Sequence, residues 1–216
     1  MTLPPLYVIV DADLAAARGW NVHALARAYL EGGARLLQVR AKSVGGAEYL
    51  ALCDEVLSAA RAVGATVIVN DRADVAAMAG ADGVHVGQED LAPREVRAAF
   101  PGIRLVGLST HTPAQIDAAA PQSIDYLAVG PVFPTGTKDT GYGEVGLELV
   151  RHARQVVAAG AGGGEPRPVV AIGGITLERA PAVLEAGATS VAVISDLLAT
   201  GDPATRVQAY LAALTR

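Results

Sequence analysis

A chain of 216 residues, 51% of them hydrophobic and only 4% aromatic, can bury a sizeable core of Ala, Val and Leu in one large domain or two small ones. A net charge of −5 with no Lys/Arg block argues against nucleic acid and anionic membrane as partners. The single cysteine, Cys53, excludes an internal disulfide and a multi-cysteine zinc site. With no signal-like amino terminus and no membrane-length apolar run, a cytoplasmic protein is expected.

In chain order, Leu6 to Val10 reads as a strand ended by Asp11, and Asn21 to Glu31 as an amphipathic helix stopped by Gly32-Gly33. Leu36 to Val39 is the second strand, and the helix from Ala47 to Val63 ends at Gly64. Thr66 to Val69 is the third strand, Ala73 to Ala79 a short helix and Gly83 to His85 the fourth strand. Pro93 suits the first position of a helix continuing from Arg94 to Phe100. Arg104 to Leu108 is the fifth strand. Thr112-Pro113 opens the next helix by cap and first-turn logic. Asp125 to Val129 is the sixth strand, followed by a long loop, Gly130 to Gly143, and a helix from Leu147 to Ala158. Pro168 to Ile172, the helix Leu177 to Glu185, Ser190 to Ile194 and the helix Pro203 to Leu214 complete the chain.

That makes eight strand-helix units with nothing left over, and the strands are the short apolar runs of a buried parallel sheet. The expected fold is a single (β/α)8 barrel spanning 1–216. A doubly wound open sheet is the runner-up, but Asp11-Ala-Asp-Leu is no dinucleotide turn. The run Gly160 to Glu165 reads as a mobile linker on the amino side of strand seven.

Ligand sites in such folds gather at the carboxyl ends of the strands. Asp71 and Asp90 lie just past two successive ends, and two carboxylates without a His or Cys cluster suit a hard cation such as Mg2+. Taken singly, each Asp also suits a helix cap. Gln38 and Arg40 share a strand parity and Lys42 follows, a grouping that suits a phosphate or pyrophosphate clamp or solvated surface cations. Asn70, His85, Gln88, Ser109 and His111 occupy further strand ends. His111 could act as a base or as a neutral structural histidine. After strand six, Thr135, Thr137 and Lys138 could cradle an anion. Gly173-Gly174 and Ser195 follow strands seven and eight, the loops that bind phosphate in many such barrels, and Gly174 would let a phosphate approach the backbone.

The motifs QVRAK (Gln38 to Lys42), NDR (Asn70 to Arg72), GVHVGQED (Gly83 to Asp90), GLSTHT (Gly107 to Thr112), GPVFPTGTK (Gly130 to Lys138), IGGI (Ile172 to Ile175) and VIS (Val193 to Ser195) occur in order along the chain. On these motifs the sequence resembles the thiamine-phosphate synthase family, also called thiamine-phosphate pyrophosphorylase, over nearly its whole length. The resemblance implies a (β/α)8 barrel that joins 4-amino-2-methyl-5-hydroxymethylpyrimidine diphosphate to 4-methyl-5-hydroxyethylthiazole phosphate, releasing pyrophosphate. It implies that Asp71 and Asp90 hold Mg2+. Gln38, Arg40, Lys42, Asn70 and Lys138 would bind the diphosphate, with Ser109 beside it. Thr135, Thr137, Gly174, Ile194 and Ser195 would bind the thiazole phosphate. Ser109, Lys138 and Arg40 are the residues expected to act in catalysis, by charge stabilisation and positioning rather than as nucleophiles. Cys53, mid-helix, is expected to be core filler. The partners are small molecules, and a homo-oligomer is left open. Two other classes compete: a thiazole tautomerase, which lacks the paired acids, and a non-catalytic sensor of thiazole phosphate, which needs no diphosphate clamp.

Overall fold

The computed structural model describes residues 2–136, 141–160 and 165–215. Eight strands, β1 (Leu6–Asp11), β2 (Leu36–Arg40), β3 (Thr66–Asn70), β4 (Gly83–Val86), β5 (Leu105–Thr110), β6 (Tyr126–Val129), β7 (Val169–Ile172) and β8 (Ser190–Val193), pair in parallel in sequence order, and β8 returns to β1 to close a barrel. The helices are α1 (Ala12–Ala17), α2 (Val22–Glu31), α3 (Gly46–Arg61), α4 (Ala73–Ala79), α5 (Pro93–Ala99), α6 (Pro113–Ala119), α7 (Gly146–Ala159), α8 (Ala180–Glu185) and α9 (Pro203–Leu214), with a 3₁₀ turn at Ser195–Leu198. This is the expected (β/α)8 barrel.

Strand parity decides what each residue meets. In β1, Leu6, Val8 and Val10 join the cluster between strands and helices, while Tyr7 and Ile9 join the cluster inside the barrel. Ile68, Tyr126, Ala128, Val170 and Ala192 occupy the same interior. Each fully buried aliphatic side chain contributes about 1.5–3 kcal/mol, so both sides of the sheet act in closing the barrel.

Helix starts follow local chemistry. Asn21 Oδ1 accepts from Ala24 N at 2.7 Å, and Thr112 Oγ1 accepts from Gln115 N at 3.2 Å ahead of Pro113. Three expectations are corrected. The units do have a remainder: α1 lies between β1 and α2, started by Asp11, whose Oδ1 accepts from Leu14 N at 2.9 Å. The helix expected from Leu177 starts only at Ala180, because Leu177 N donates instead to Asp196 Oδ2 at 3.3 Å. Ile194 leaves the strand and caps the 3₁₀ turn. Residues 161–164 of the glycine run, with Thr137 and Lys138, lie outside the described residues. No helix among the described residues is long and apolar enough to cross a membrane.

Candidate active site

At the carboxyl ends of the strands the barrel opens into a cavity of about 430 Å³. Inward parity carries polar groups to its wall from β2 to β5, and Gln38, Arg40, Asn70, His85 and Ser109 all line it. From the β6 to β8 side come Thr135, Gly173, Gly174, Ile194 and Ser195. Gln38 and Arg40 therefore share a face, as their spacing predicts.

On the β2–β3 side, Tyr49 from α3 holds two strand ends together. Its Oη donates to Val39 O at 2.8 Å and accepts from Asn70 N at 3.1 Å. Arg40 ion-pairs through Nη1 with Asp11, and both side chains are largely buried. Arg40 Nε is buried and has no hydrogen-bond partner. The residue lines the cavity, and its guanidinium charge suits an anionic ligand there.

Lys42, Asp71 and Asp90 do not line the cavity. They form a charged cluster beside it, attached through Asn70. Lys42 ion-pairs with Asp71, and Asp71 and Asp90 are hydrogen-bond neighbours. The Asp90 carboxyl is pushed above the usual range, first by partial burial and then by the Asp71 carboxylate, while the Gly87 N–H pulls it down. Neither acid is a helix cap: Arg72 precedes α4 and Ala92 precedes α5. Asp90 Oδ2 instead accepts from Gly87 N at 2.7 Å, closing the turn after β4. Among the described residues no group of three His, Cys, Asp or Glu side chains gathers to hold a metal.

On the β7–β8 side, Gly174 has φ +62°, and a Cβ there would lie 2.5 Å from Pro134 O and 2.8 Å from Phe133 Cβ. The glycine is thus required by the loop after β6 as well as suited to a close approach of a ligand to the backbone. Asp196 ties this side together: its Oδ2 accepts from Arg206 Nη2 at 2.7 Å and Tyr210 Oη at 2.6 Å. That anchoring fixes the turn that starts at Ser195.

Ser109 Oγ is 2.8 Å from His85 Nε2 on the cavity floor. His111 also lines the cavity. Its Nδ1 lies 2.5 Å from Gly130 O, and its ring stacks on Tyr142 at 4.4 Å.

Five further residues at the site carry no motif signal of their own. Asp11 could have been found as an Asp placed three residues before Leu14 at the start of an Ala-rich run. Tyr7 and Tyr126 read as core aromatics, and only barrel closure makes them neighbours. Arg179 lines the cavity beside Gly174, donates to Gly174 O at 2.9 Å and lies over the Phe133 ring at 4.8 Å. Arg18 also lines the cavity. The lining therefore includes two cations, Arg18 and Arg179, that the motifs do not contain.

A family model described as thiamine monophosphate synthase matches residues 6–197. The thiamine-phosphate synthase of Koribacter versatilis is 41% identical over 213 residues, covering 98% of this chain and 96% of its own. That of Thermus thermophilus is 43% identical over 188 residues, 86% of each chain. The solved structure of a thiamine phosphate pyrophosphorylase from Pyrococcus furiosus superposes with a TM-score of 0.84 at 30% identity, covering 97% of this chain and 95% of its own. With this agreement of sequence, barrel and length, the chain belongs to the thiamine monophosphate synthase family.

Proposed function

We propose that this chain is a thiamine-phosphate synthase that joins 4-amino-2-methyl-5-hydroxymethylpyrimidine diphosphate to 4-methyl-5-hydroxyethylthiazole phosphate, giving thiamine phosphate and pyrophosphate. One observation carries the reading: a single cavity has two anion-suited sides. Arg40 and Asn70, with the Lys42, Asp71 and Asp90 cluster adjoining, lie toward β2–β4, and Thr135, Gly174, Ser195 and Arg179 lie toward β6–β8. Strands β3 and β7 are four apart in the closed ring, so the two sides face each other across the barrel axis.

Asp71 and Asp90 fit a divalent cation. Two neighbouring carboxylates, one of them resisting ionisation, are relieved by a hard metal ion, and Lys42 partly plays that part at Asp71. Mg2+ held there would supply positive charge to the leaving diphosphate. Arg40 and Lys42, with Lys138, bind the diphosphate and stabilise charge as the C–O bond to the methylene carbon breaks and its electron pair leaves with pyrophosphate. The electron-rich aminopyrimidine stabilises the cation left behind, so a dissociative path needs no protein nucleophile. Gln38, Asn70 and Ser109 orient the pyrimidine diphosphate. Thr135, Thr137, Gly174, Ile194 and Ser195, joined by Arg179, hold the thiazole phosphate so that its ring nitrogen forms the new C–N bond. The partners are small molecules. A cytoplasmic location is part of the proposal, compatible with one buried, unpaired cysteine.

The test is direct. Purified protein given both heterocycles and Mg2+ should release pyrophosphate in step with thiamine phosphate. Arg40→Ala with Lys42→Ala should abolish release while thiazole-phosphate binding stays detectable by calorimetry. Interconversion of thiazole phosphate isomers with no pyrophosphate under any metal condition would replace the transferase reading with a tautomerase.

A further inference from the structure

Five polar side chains from five strands form a buried chain across the cavity floor. Gln38 Nε2 lies 2.8 Å from Tyr7 Oη, which lies 3.2 Å from Tyr126 Oη. Tyr126 Oη lies 3.0 Å from His85 Nδ1, and His85 Nε2 lies 2.8 Å from Ser109 Oγ. None of the five is more than 8% exposed. The His85 and Tyr126 rings stack at 5.6 Å. Gly107 makes room for Tyr126: a Cβ there would lie 2.0 Å from its Cζ.

Counting protons gives the chain a direction. An amide Nε2 only donates, so Tyr7 Oη accepts from Gln38. The Tyr7 proton then goes to Tyr126, the other hydrogen-bond partner of that hydroxyl. Tyr126 Oη, having accepted from Tyr7, gives its proton to His85 Nδ1. An accepting Nδ1 carries no proton, so the ring is neutral and its proton is on Nε2. Nε2 donates to Ser109 Oγ, and that leaves the serine's own proton for the cavity.

We propose that Gln38, Tyr7, Tyr126 and His85 act as positioning residues that fix Ser109 as a hydrogen-bond donor toward an uncharged heteroaromatic ring nitrogen. The surroundings favour such a ligand over a phosphate at this spot. The chain is neutral along its whole length, and Ile9, Ala128, Val170, Ile172 and Ala192 make the neighbouring wall apolar. Naming that ring as the aminopyrimidine rests on the proposed function, whereas the direction of the chain does not. An aminopyrimidine protonated at that nitrogen would present a donor to a donor and bind poorly.

Long-range ¹H–¹⁵N correlation spectra of the ligand-free wild type at pH 7.5 test the direction, with His85 assigned by comparison with His85→Gln. The expected pattern is an unprotonated Nδ1 and a protonated Nε2. A proton on Nδ1, or on both nitrogens, overturns the proposal. Binding tests the consequence, with 4-amino-5-hydroxymethyl-2-methylpyrimidine as the probe. Ser109→Ala and Tyr126→Phe should each weaken it about tenfold, the scale of one lost hydrogen bond, and the double variant should be no weaker than Ser109→Ala. Additive losses would mean that Tyr126 acts independently of Ser109 and would also overturn it. Failure of the transferase reading shows up separately, as absent pyrophosphate release with the His85 spectrum unchanged.

Discussion

The backbone N–H of Asp71 donates to the carbonyl of His85 at 2.7 Å, and Asp71 sits at φ +63°, the one non-glycine residue in the left-handed region among the described residues. The residue whose ring holds Ser109 thus also holds the backbone of an expected metal ligand. The left-handed conformation costs roughly 1–2 kcal/mol for most L residues but is tolerated by Asp and Asn. Asp71→Asn should therefore stay within about 0.5 kcal/mol of wild-type stability in urea, as a backbone-compatible change does. Its pyrophosphate release should fall by about 100-fold or more at saturating Mg2+, as when one electrostatic group is lost from an active site. Full turnover by this variant in excess chelator would remove Asp71 from the metal site.

Asp11 has two jobs in one carboxylate: Oδ1 caps α1 and Oδ2 pairs with Arg40. Asp11→Ala leaves a mostly buried guanidinium without its counter-charge and should destabilise the fold by about 3 kcal/mol or more. Asp11→Asn keeps a cap acceptor and should lose less. Equal losses in denaturant titrations of the two variants would show that the cap contributes little, and an Asp11→Asn variant as stable as wild type would show the same of the ion pair.

Arg179 should matter to one substrate only. Arg179→Ala removes a cation from the β7–β8 side and should raise KM for thiazole phosphate about tenfold, the lower end for a hydrogen bond to a charged group, with KM for the diphosphate unchanged. An equal rise in both constants would mean that Arg179 acts through the loop carbonyl of Gly174. Gly174→Ala is the less specific probe, because its Cβ strikes Pro134 O and should lower stability and activity together.

Cys53 lies wholly buried on α3, and burial first, then the Asp54 carboxylate, pushes its thiol up to about 12. The native protein at pH 8 should resist iodoacetamide for hours, whereas urea-unfolded chain should be alkylated within minutes, as read by mass. The sign for stability follows from linkage. The folded state keeps this proton after the unfolded thiol loses it, so the contribution is complete below about pH 8.5 and is lost as pH rises toward 12. Rapid native alkylation at pH 8 would contradict the burial.

Much of this protein was legible because the signals are local. Apolar runs such as Thr66 to Val69 mark strands, Thr112-Pro113 marks a helix start, and glycines stop helices. Each depends on a few adjacent residues and on backbone sterics. Parity within β2 was enough to turn Gln38 and Arg40 to the same side, and position at a strand's carboxyl end was enough to put Ser109 and Ser195 on the cavity wall with Asp71 beside it. What the sequence could not determine was which of those polar groups touch. Arg40 meets Asp11 across 29 positions, His85 meets Tyr126 across 41 and Tyr7 meets Tyr126 across 119. Arg179 reached the cavity wall although its own segment reads as the start of a helix. Register between β1 and β2 decided the first, and the curvature that closes the ring decided the contacts across the floor. A strand's side chains have a fixed parity but no fixed partner until the ring sets which strands adjoin and how far the floor extends between them.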